Sequence, residues 1–213
     1  MSCDWYLLIL TRKQNKSVIM SEVDVKDIIV KSATKYFSKY GFYKTTMDEI
    51  AKHIHKAKGV LYYYFKSKEE LFNEVLRQEL SHVKTELRKI IASDNDSLTI
   101  IKNYILTRLK LLSTAVNYHE TLKADFFEKY HFVKDVRDDF AEFEYAQLNL
   151  IIKKGYGEGY LYIKNTESTV NAVMMLLNSI ELPLYLQNKY SEYESTIDEI
   201  VTMIINSLKV YKK

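Results

Sequence analysis

Lys56, Lys58 and Gly59 stand just ahead of the run Tyr62, Tyr63 and Tyr64, and this mixture suits contact with a polyanion. Ammonium and phenol groups donate hydrogen bonds to phosphate oxygens, and a glycine lets the backbone approach a base edge closely. Three consecutive tyrosines fill nearly a full helical turn, so they cannot all face one core and at least one ring points outward. Upstream, Thr46 and Glu49 form a capping box that opens a short helix through Ile50, Ala51 and Ile54. His55 and Lys56 alone separate that helix from a second one over Ala57–Tyr64. Two short helices so joined are a helix-turn-helix spacing, in which the second helix enters the DNA major groove and offers its N-terminal side chains to the bases.

Other chemistry is harder to find. His53, His55, His82, His119 and His131 show no HExxH or other tight ligand spacing, and only a fold could bring His119, His131 and Asp125 together. There is no P-loop, no GxSxG, no Gly-rich dinucleotide turn and no paired-carboxylate motif in helical register. The expectation is therefore a protein that is not an enzyme, with no catalytic residues, no metal and no cofactor. Cys3 is the lone cysteine, which excludes an internal disulfide and a CxxC-type metal site and fits a reducing cytosol.

Charge supports the same location for contact with an anion. Residues 1–72 hold 13 Lys/Arg against 8 Asp/Glu, net +5, while the remainder holds 18 against 20, net −2. A basic N-terminal third on a slightly acidic body suits a nucleic-acid-binding head. Across all 213 residues, 47% are hydrophobic and 28% charged, a globular composition. Only 5 Gly and 1 Pro leave few sites for hairpin turns, so helices are favoured over sheets. No apolar run is expected to reach the ~20 residues of a membrane span. In the apolar stretch Trp5–Leu10, the basic pair Arg12 and Lys13 follows instead of preceding, the wrong order for a signal peptide. A cytoplasmic protein without membrane association is expected, with residues 1–20 a flexible tail or a mis-assigned start.

The elements that must position these residues follow from periodicity. Ser21–Asp24 reads as a capping box, and Ile29, Ala33, Tyr36, Phe37 and Tyr40 then share one helical face up to Gly41, a residue suited to ending a helix. Ser67 and Glu70 form a further box, opening a long helix with Leu71, Val75, Leu76, Leu80, Val83, Leu87 and Ile90 along one side. Helical patterns recur near 98–116, 119–130, 133–154, 167–187 and 193–210, the fourth kinked or ended near Pro183. The stretch 155–159, with three glycines, is read as the main break. The result is an all-α chain of about nine helices: a head over 21–66 and a larger regulatory and dimerisation domain over 67–213.

Gly41-Phe-Tyr-Lys-Thr-Thr-Met-Asp-Glu-Ile-Ala51, Lys58-Gly-Val-Leu-Tyr62 and Phe65-Lys-Ser-Lys-Glu-Glu-Leu71 together resemble the DNA-binding signature of the TetR/AcrR family, in register over residues 28–72. The resemblance implies that Thr46 caps the second helix and touches a phosphate. It implies that Lys58, Gly59 and Tyr63 face bases or adjacent backbone, and that Tyr62 and Lys68 reach phosphates. Ala33, Phe37, Ile50, Ala51, Leu61 and Phe65 would form the core of the head. Two positions depart from the pattern. His55 stands where the family usually has Gly, which requires a positive φ there, and Lys56 replaces an aliphatic residue and adds a candidate phosphate contact.

The resemblance also implies a homodimer on a double-stranded DNA operator, with the seam in the last two helices. Val173, Met174, Leu176, Leu177, Ile180, Ile197, Ile200, Val201, Ile204, Ile205 and Leu208 would build it, with Asn178, Glu181, Asp198 and Glu199 interspersed. The family usually has a ligand cavity in the ring-rich middle of the chain, where Tyr104, Tyr118, Phe126, Phe127, Tyr130 and Phe143 are the candidates to line it. The rings, and the lack of any evident buried cluster of like charges, point to a mainly apolar small molecule. Ligand-responsive repression is the leading reading. Control of the same fold by a protein partner, and a helical enzyme or carrier with an accidental motif match, remain as alternatives.

Overall fold

The computed structural model describes residues 25–123 and 131–210. The capping box at Ser21–Asp24, the tail over 1–20, and Phe126, Phe127 and Tyr130 lie outside the described residues. Within them the chain is helical, and its only β pairing is an isolated bridge between Leu161 and Lys209. It divides into two compact units, one through Val75 and the other from Leu76.

The first unit holds α1 over residues 25–44, α2 (Met47–His53), α3 (Lys58–Tyr64) and the first turns of α4 (Lys68–Ile91). Ile29, Ala33 and Phe37 are fully buried from α1, as their spacing requires, whereas Tyr40 on the same predicted stripe is exposed. Gly41 takes the left-handed conformation at φ 80°, and one more helical turn then carries Phe42 into the core. Phe42 and Phe37 each meet Phe72 with ring centroids 5.0 Å apart. Phe72 therefore ties the start of α4 to the head, which is why the unit extends past residue 66. Ile50, Ala51, Leu61 and Phe65 complete the buried set.

In the second unit α5 (Ser97–Ser113) is central, burying Ile101, Tyr104, Ile105, Arg108, Leu109 and Leu112. Its neighbours are α6 (Val116–Glu120), α7 (Lys134–Gly157) and α9 (Glu194–Leu208), while α8 (Thr166–Glu181) packs on α7. The break expected over 155–159 falls later than its glycines suggest. Gly155 and Gly157 are helical, and the chain turns at Gly159, φ 74°. Gly155 serves a close approach instead: a Cβ there would stand 2.5 Å from Leu161 Cδ1 and 2.9 Å from Ser97 Oγ. Past α8, the chain makes one π-helical turn over Leu182–Leu186, where Pro183 supplies no N–H for an α-helical bond.

Two corrections concern α8 and α9. Val173, Leu177, Ile197, Val201, Ile204 and Ile205 are buried within this one chain, so they cannot form a seam with another. The apolar side chains left outside are Met175, Leu176, Leu182 and Met203, 73%, 51%, 51% and 63% exposed. In addition, the Thr166–Leu186 stretch, mean hydropathy 1.3 and one-third buried, is long and apolar enough by composition to cross a membrane.

Candidate nucleic-acid interface and body cavity

The link from α1 to α2 rests on a threonine pair with divided duties. Thr45 is fully buried, and its hydroxyl donates to the Gly41 carbonyl at 2.9 Å. Thr46 is exposed and caps α2: the Glu49 N–H donates to its Oγ1 at 3.3 Å, and the Thr46 N–H donates to Glu49 Oε2 at 2.8 Å. The Thr46 hydroxyl also donates to Glu49 Oε2 at 2.7 Å, and this bond first, the Thr46 N–H second, holds the Glu49 carboxyl below its ordinary pKa. The role of Thr45 was missed in sequence, although a small hydroxyl residue after a glycine corner is the signal that carries it.

After α2 the backbone closes a Schellman turn. The His55 N–H donates to Lys52 O at 3.1 Å and the Lys56 N–H to Ala51 O at 3.0 Å, with His55 at φ 53°. The positive φ that the departure at His55 required is thus present. Histidine holds the position that glycine occupies more cheaply, and α3 starts at Lys58.

On α3, Leu61 is buried while Lys58, Gly59, Tyr62 and Tyr63 are exposed, Tyr63 at 73%. Nothing lies within 4 Å of where a Gly59 Cβ would stand. Lys58 Nζ sits 3.0 Å from Asp48 Oδ1 and 5.8 Å from the Tyr62 ring centre, and the Asp48 contact raises the lysine's pKa. Thr46 and Lys56 are exposed in the same unit. Lys68 differs from the other expected contacts. Its ammonium is half-buried, donates to the Phe42 carbonyl at 2.9 Å and lies over the Phe42 ring, and burial lowers its pKa.

The second unit contains a cavity of about 370 Å³. Its apolar lining includes Leu122, Phe140, Met174 and Leu182; its polar lining includes Tyr118, Arg137, Glu144, Asn178 and Glu181. Of the residues expected to line a ligand site, Tyr118 lines this cavity. Tyr104 is fully buried in α5 away from the lining, and Phe143 lies beneath Lys84 and Arg88.

No buried cluster of like charges is evident in the sequence, yet the structure buries two carboxylates, Glu144 and Glu181, around one guanidinium, that of Arg108. Arg108, Glu144 and Glu181 are 1%, 4% and 3% exposed and form one network. Arg108 Nη2 donates to Glu144 Oε2 at 3.0 Å and to Glu181 Oε1 at 2.7 Å, Nε donates to Glu144 Oε1, and Tyr118 donates its hydroxyl to Glu181 Oε2 at 3.1 Å. Burial works against the guanidinium, but the two carboxylates more than offset it and hold Arg108 charged. Burial also pushes the Glu144 carboxyl up, with Arg108 pulling the other way. Arg108 Nη1 and the Tyr104 hydroxyl, one turn apart on α5, are buried without a hydrogen-bond partner. Glu181, expected in a dimer seam, therefore belongs to the interior of the body. Among the described residues, no three His, Cys, Asp or Glu gather as metal ligands.

Comparison with known proteins agrees with both units. Residues 29–75 match the profile described as bacterial regulatory proteins, tetR family. Over 62 residues the chain is 44% identical to the uncharacterized HTH-type transcriptional regulator YhgD of Bacillus subtilis (strain 168), covering 29% of this chain and 32% of that protein. That match therefore spans about a third of the relative's length. Identity to the HTH-type transcriptional regulator QacR of Staphylococcus aureus (strain Mu50 / ATCC 700699) is 27% over 171 residues, 78% of this chain and 89% of that one. Among solved structures, a transcriptional regulator from Cytophaga hutchinsonii ATCC 33406 matches with a TM-score of 0.71 and 26% identity, covering 86% of this chain and 98% of that one.

Proposed function

Because this chain belongs to the TetR family of bacterial regulatory proteins, we propose that it is a homodimeric repressor, released from a palindromic operator by a small molecule held in the body cavity. The observation that carries the DNA reading is the outward face of α3, where Lys58, Gly59, Tyr62 and Tyr63 are exposed while Leu61 anchors the helix. Tyr63 and Gly59 address base edges; Lys56, Lys58, Tyr62 and Thr46 address phosphates. A single head reads too short a site to be selective, and two-fold pairing places two heads on matching half-sites.

For the dimer, the support is the uncovered apolar surface of Met175, Leu176, Leu182 and Met203. Large apolar side chains left exposed in this way suit association with another surface. A second copy suits them better than lipid does, because Glu181 at the end of α8 is ion-paired to Arg108 inside the body. For the ligand, the support is the cavity and its link to α4. Glu79 accepts from Asn117 Nδ2 at 2.7 Å and from the Tyr118 N–H at 3.1 Å, and Tyr118 lines the cavity. A ligand changes DNA affinity only by binding two conformations unequally. An occupant that shifts Tyr118 pulls on α4, which runs unbroken from one unit into the other.

Selection of bound genomic fragments, followed by gel-shift titration at several salt concentrations, tests the reading. A palindromic consensus bound by a particle of about twice the chain mass is expected. A strictly monomeric protein at micromolar concentration, or equal binding to all sequences, would overturn it.

A further inference from the structure

We infer that His55 is itself a DNA contact: its imidazolium addresses a backbone phosphate beside α3 and makes operator affinity depend on pH. This rests on the DNA-binding reading above and adds one residue to it.

Backbone strain and an unused side chain carry the argument. Four described residues take the left-handed conformation; Gly41, Gly159 and Asn188 are of types that reach it readily, and His55, at φ 53°, is the fourth. Nothing inside the chain offsets that strain. His55 is exposed, and among the described residues its imidazole makes no hydrogen bond, ion pair or ring contact. The Schellman turn uses only the backbone N–H groups of His55 and Lys56, which a glycine at position 55 would supply equally well. A strained position whose side chain the fold does not use points to a role outside the fold. Its place says which. His55 stands three residues ahead of Lys58, the first residue of α3. A recognition helix enters the major groove with its N-terminal residues at the bases, so the turn before it lies beside the phosphates that border the groove. Lys52, Lys56 and Lys58, all exposed, flank that turn. Of the carboxylates on α2, Asp48 is paired with Lys58 and Glu49 is bonded to Thr46. An imidazolium donates from both ring nitrogens and a neutral imidazole from one, so holding a phosphate favours proton uptake.

Gel-shift titrations of the full-length protein on the operator recovered by genomic selection, at pH 6.0 and 8.0 and at several salt concentrations, test the inference. Wild type should bind severalfold more tightly at pH 6.0 than at pH 8.0. His55→Asn keeps a residue that tolerates the left-handed conformation and removes the charge. It should lose most of the pH dependence and, at pH 6.0, up to about 0.9 from the slope of log affinity against log salt. His55→Arg keeps a cationic donor at both pH values and should bind tightly at both. His55→Gly relieves the backbone, so it should unfold at an equal or higher urea concentration while binding the operator severalfold more weakly at pH 6.0. A turn residue with a structural role alone would not divide stability from binding in that way. His53, the other histidine of the head, packs its ring on Tyr36 with centroids 5.2 Å apart, and His53→Gln should keep the wild-type pH dependence. Wild-type pH dependence in His55→Asn or His55→Arg overturns the inference, as does wild-type affinity at pH 6.0 in His55→Gly. Easier unfolding of His55→Gly overturns it too, because the histidine would then serve the fold. A wild-type protein that binds no DNA sinks the DNA-binding reading; selective binding that is indifferent to His55 sinks this inference alone.

Discussion

The Lys68 ammonium donates to the Phe42 carbonyl at 2.9 Å and lies 4.3 Å from the centre of the Phe42 ring, joining the start of α4 to the last turn of α1. A lysine so placed braces the head, and one of its three donors is already taken. Lys68→Met, which keeps the stem and removes the charge, should lower the head's stability by about 1 kcal/mol through the lost charged hydrogen bond. The slope of log affinity against log salt should change by well under the ~0.9 expected for one released phosphate contact. A midpoint of urea unfolding equal to wild type, together with a full unit lost from the salt slope, would restore Lys68 to the DNA contacts.

The Lys58–Asp48 pair sits on the surface that is proposed to meet DNA, with the nitrogen 3.0 Å from the oxygen and both side chains about half exposed. Exposed pairs contribute little to stability, at most about 1 kcal/mol. Close to phosphates, however, the carboxylate both occupies Lys58 and repels the backbone. Asp48→Asn should therefore raise operator affinity a fewfold and steepen the salt dependence, with almost no effect on unfolding. Gel shifts at three salt concentrations decide it, and weaker binding would mean that Asp48 positions Lys58 productively.

The head could be read from sequence because its signals are local. The box from Thr46 to Glu49 and the turn at His55 each span a few residues, and their geometry follows from neighbours along the chain. The polar centre of the body could not be read that way. Arg108 lies 36 residues from Glu144 and 73 from Glu181, and each stands in a helix that also carries exposed charges. Periodicity told which positions on α8 and α9 are apolar, but both helices have more than one apolar face. Val173 and Val201 turn inward and Met175 and Met203 outward, which only packing decides. Gly155 misled for a related reason: glycine signals either a turn or a close contact, and Leu161 makes it the second.

His119 stacks on Tyr185 with ring centroids 5.0 Å apart, and its Nε2 lies 2.7 Å from the Leu112 carbonyl, so that nitrogen carries a proton and donates. Burial lowers the ring's pKa, with the Leu112 carbonyl and Glu120 opposing. The folded protein thus binds fewer protons here than the unfolded chain does below the ordinary histidine value of about 6.5. Stability is fully present above that value and is lost as pH falls through it toward the lowered pKa. Wild type should lose more urea resistance between pH 7.5 and 5.5 than His119→Gln does. Equal losses would show that the ring does not contribute to acid sensitivity.

Glu79 is the place to cut the proposed switch. It projects from α4, and its two oxygens accept from Asn117 Nδ2 and from the Tyr118 N–H. Burial raises its pKa, and the bonds from Asn117 and Tyr118 pull it back. Glutamine in its place has one oxygen and one amino group, so it can keep one acceptor contact but not both. Its side chain neither lines the cavity nor belongs to the head, so ligand binding and DNA binding should each survive in Glu79→Gln. What should fall is the ratio of operator affinities without and with a small molecule that thermal-shift screening finds to stabilise the full-length protein. A coupling in the usual range of about 1–3 kcal/mol makes that ratio roughly 5–150 in wild type, and the variant should bring it close to one. Linkage supplies an internal check, because operator DNA must weaken that molecule's binding by the same factor in each protein. If Glu79→Gln binds both partners normally and keeps the wild-type ratio, the path from Tyr118 through Glu79 into α4 is wrong and the coupling runs through another contact.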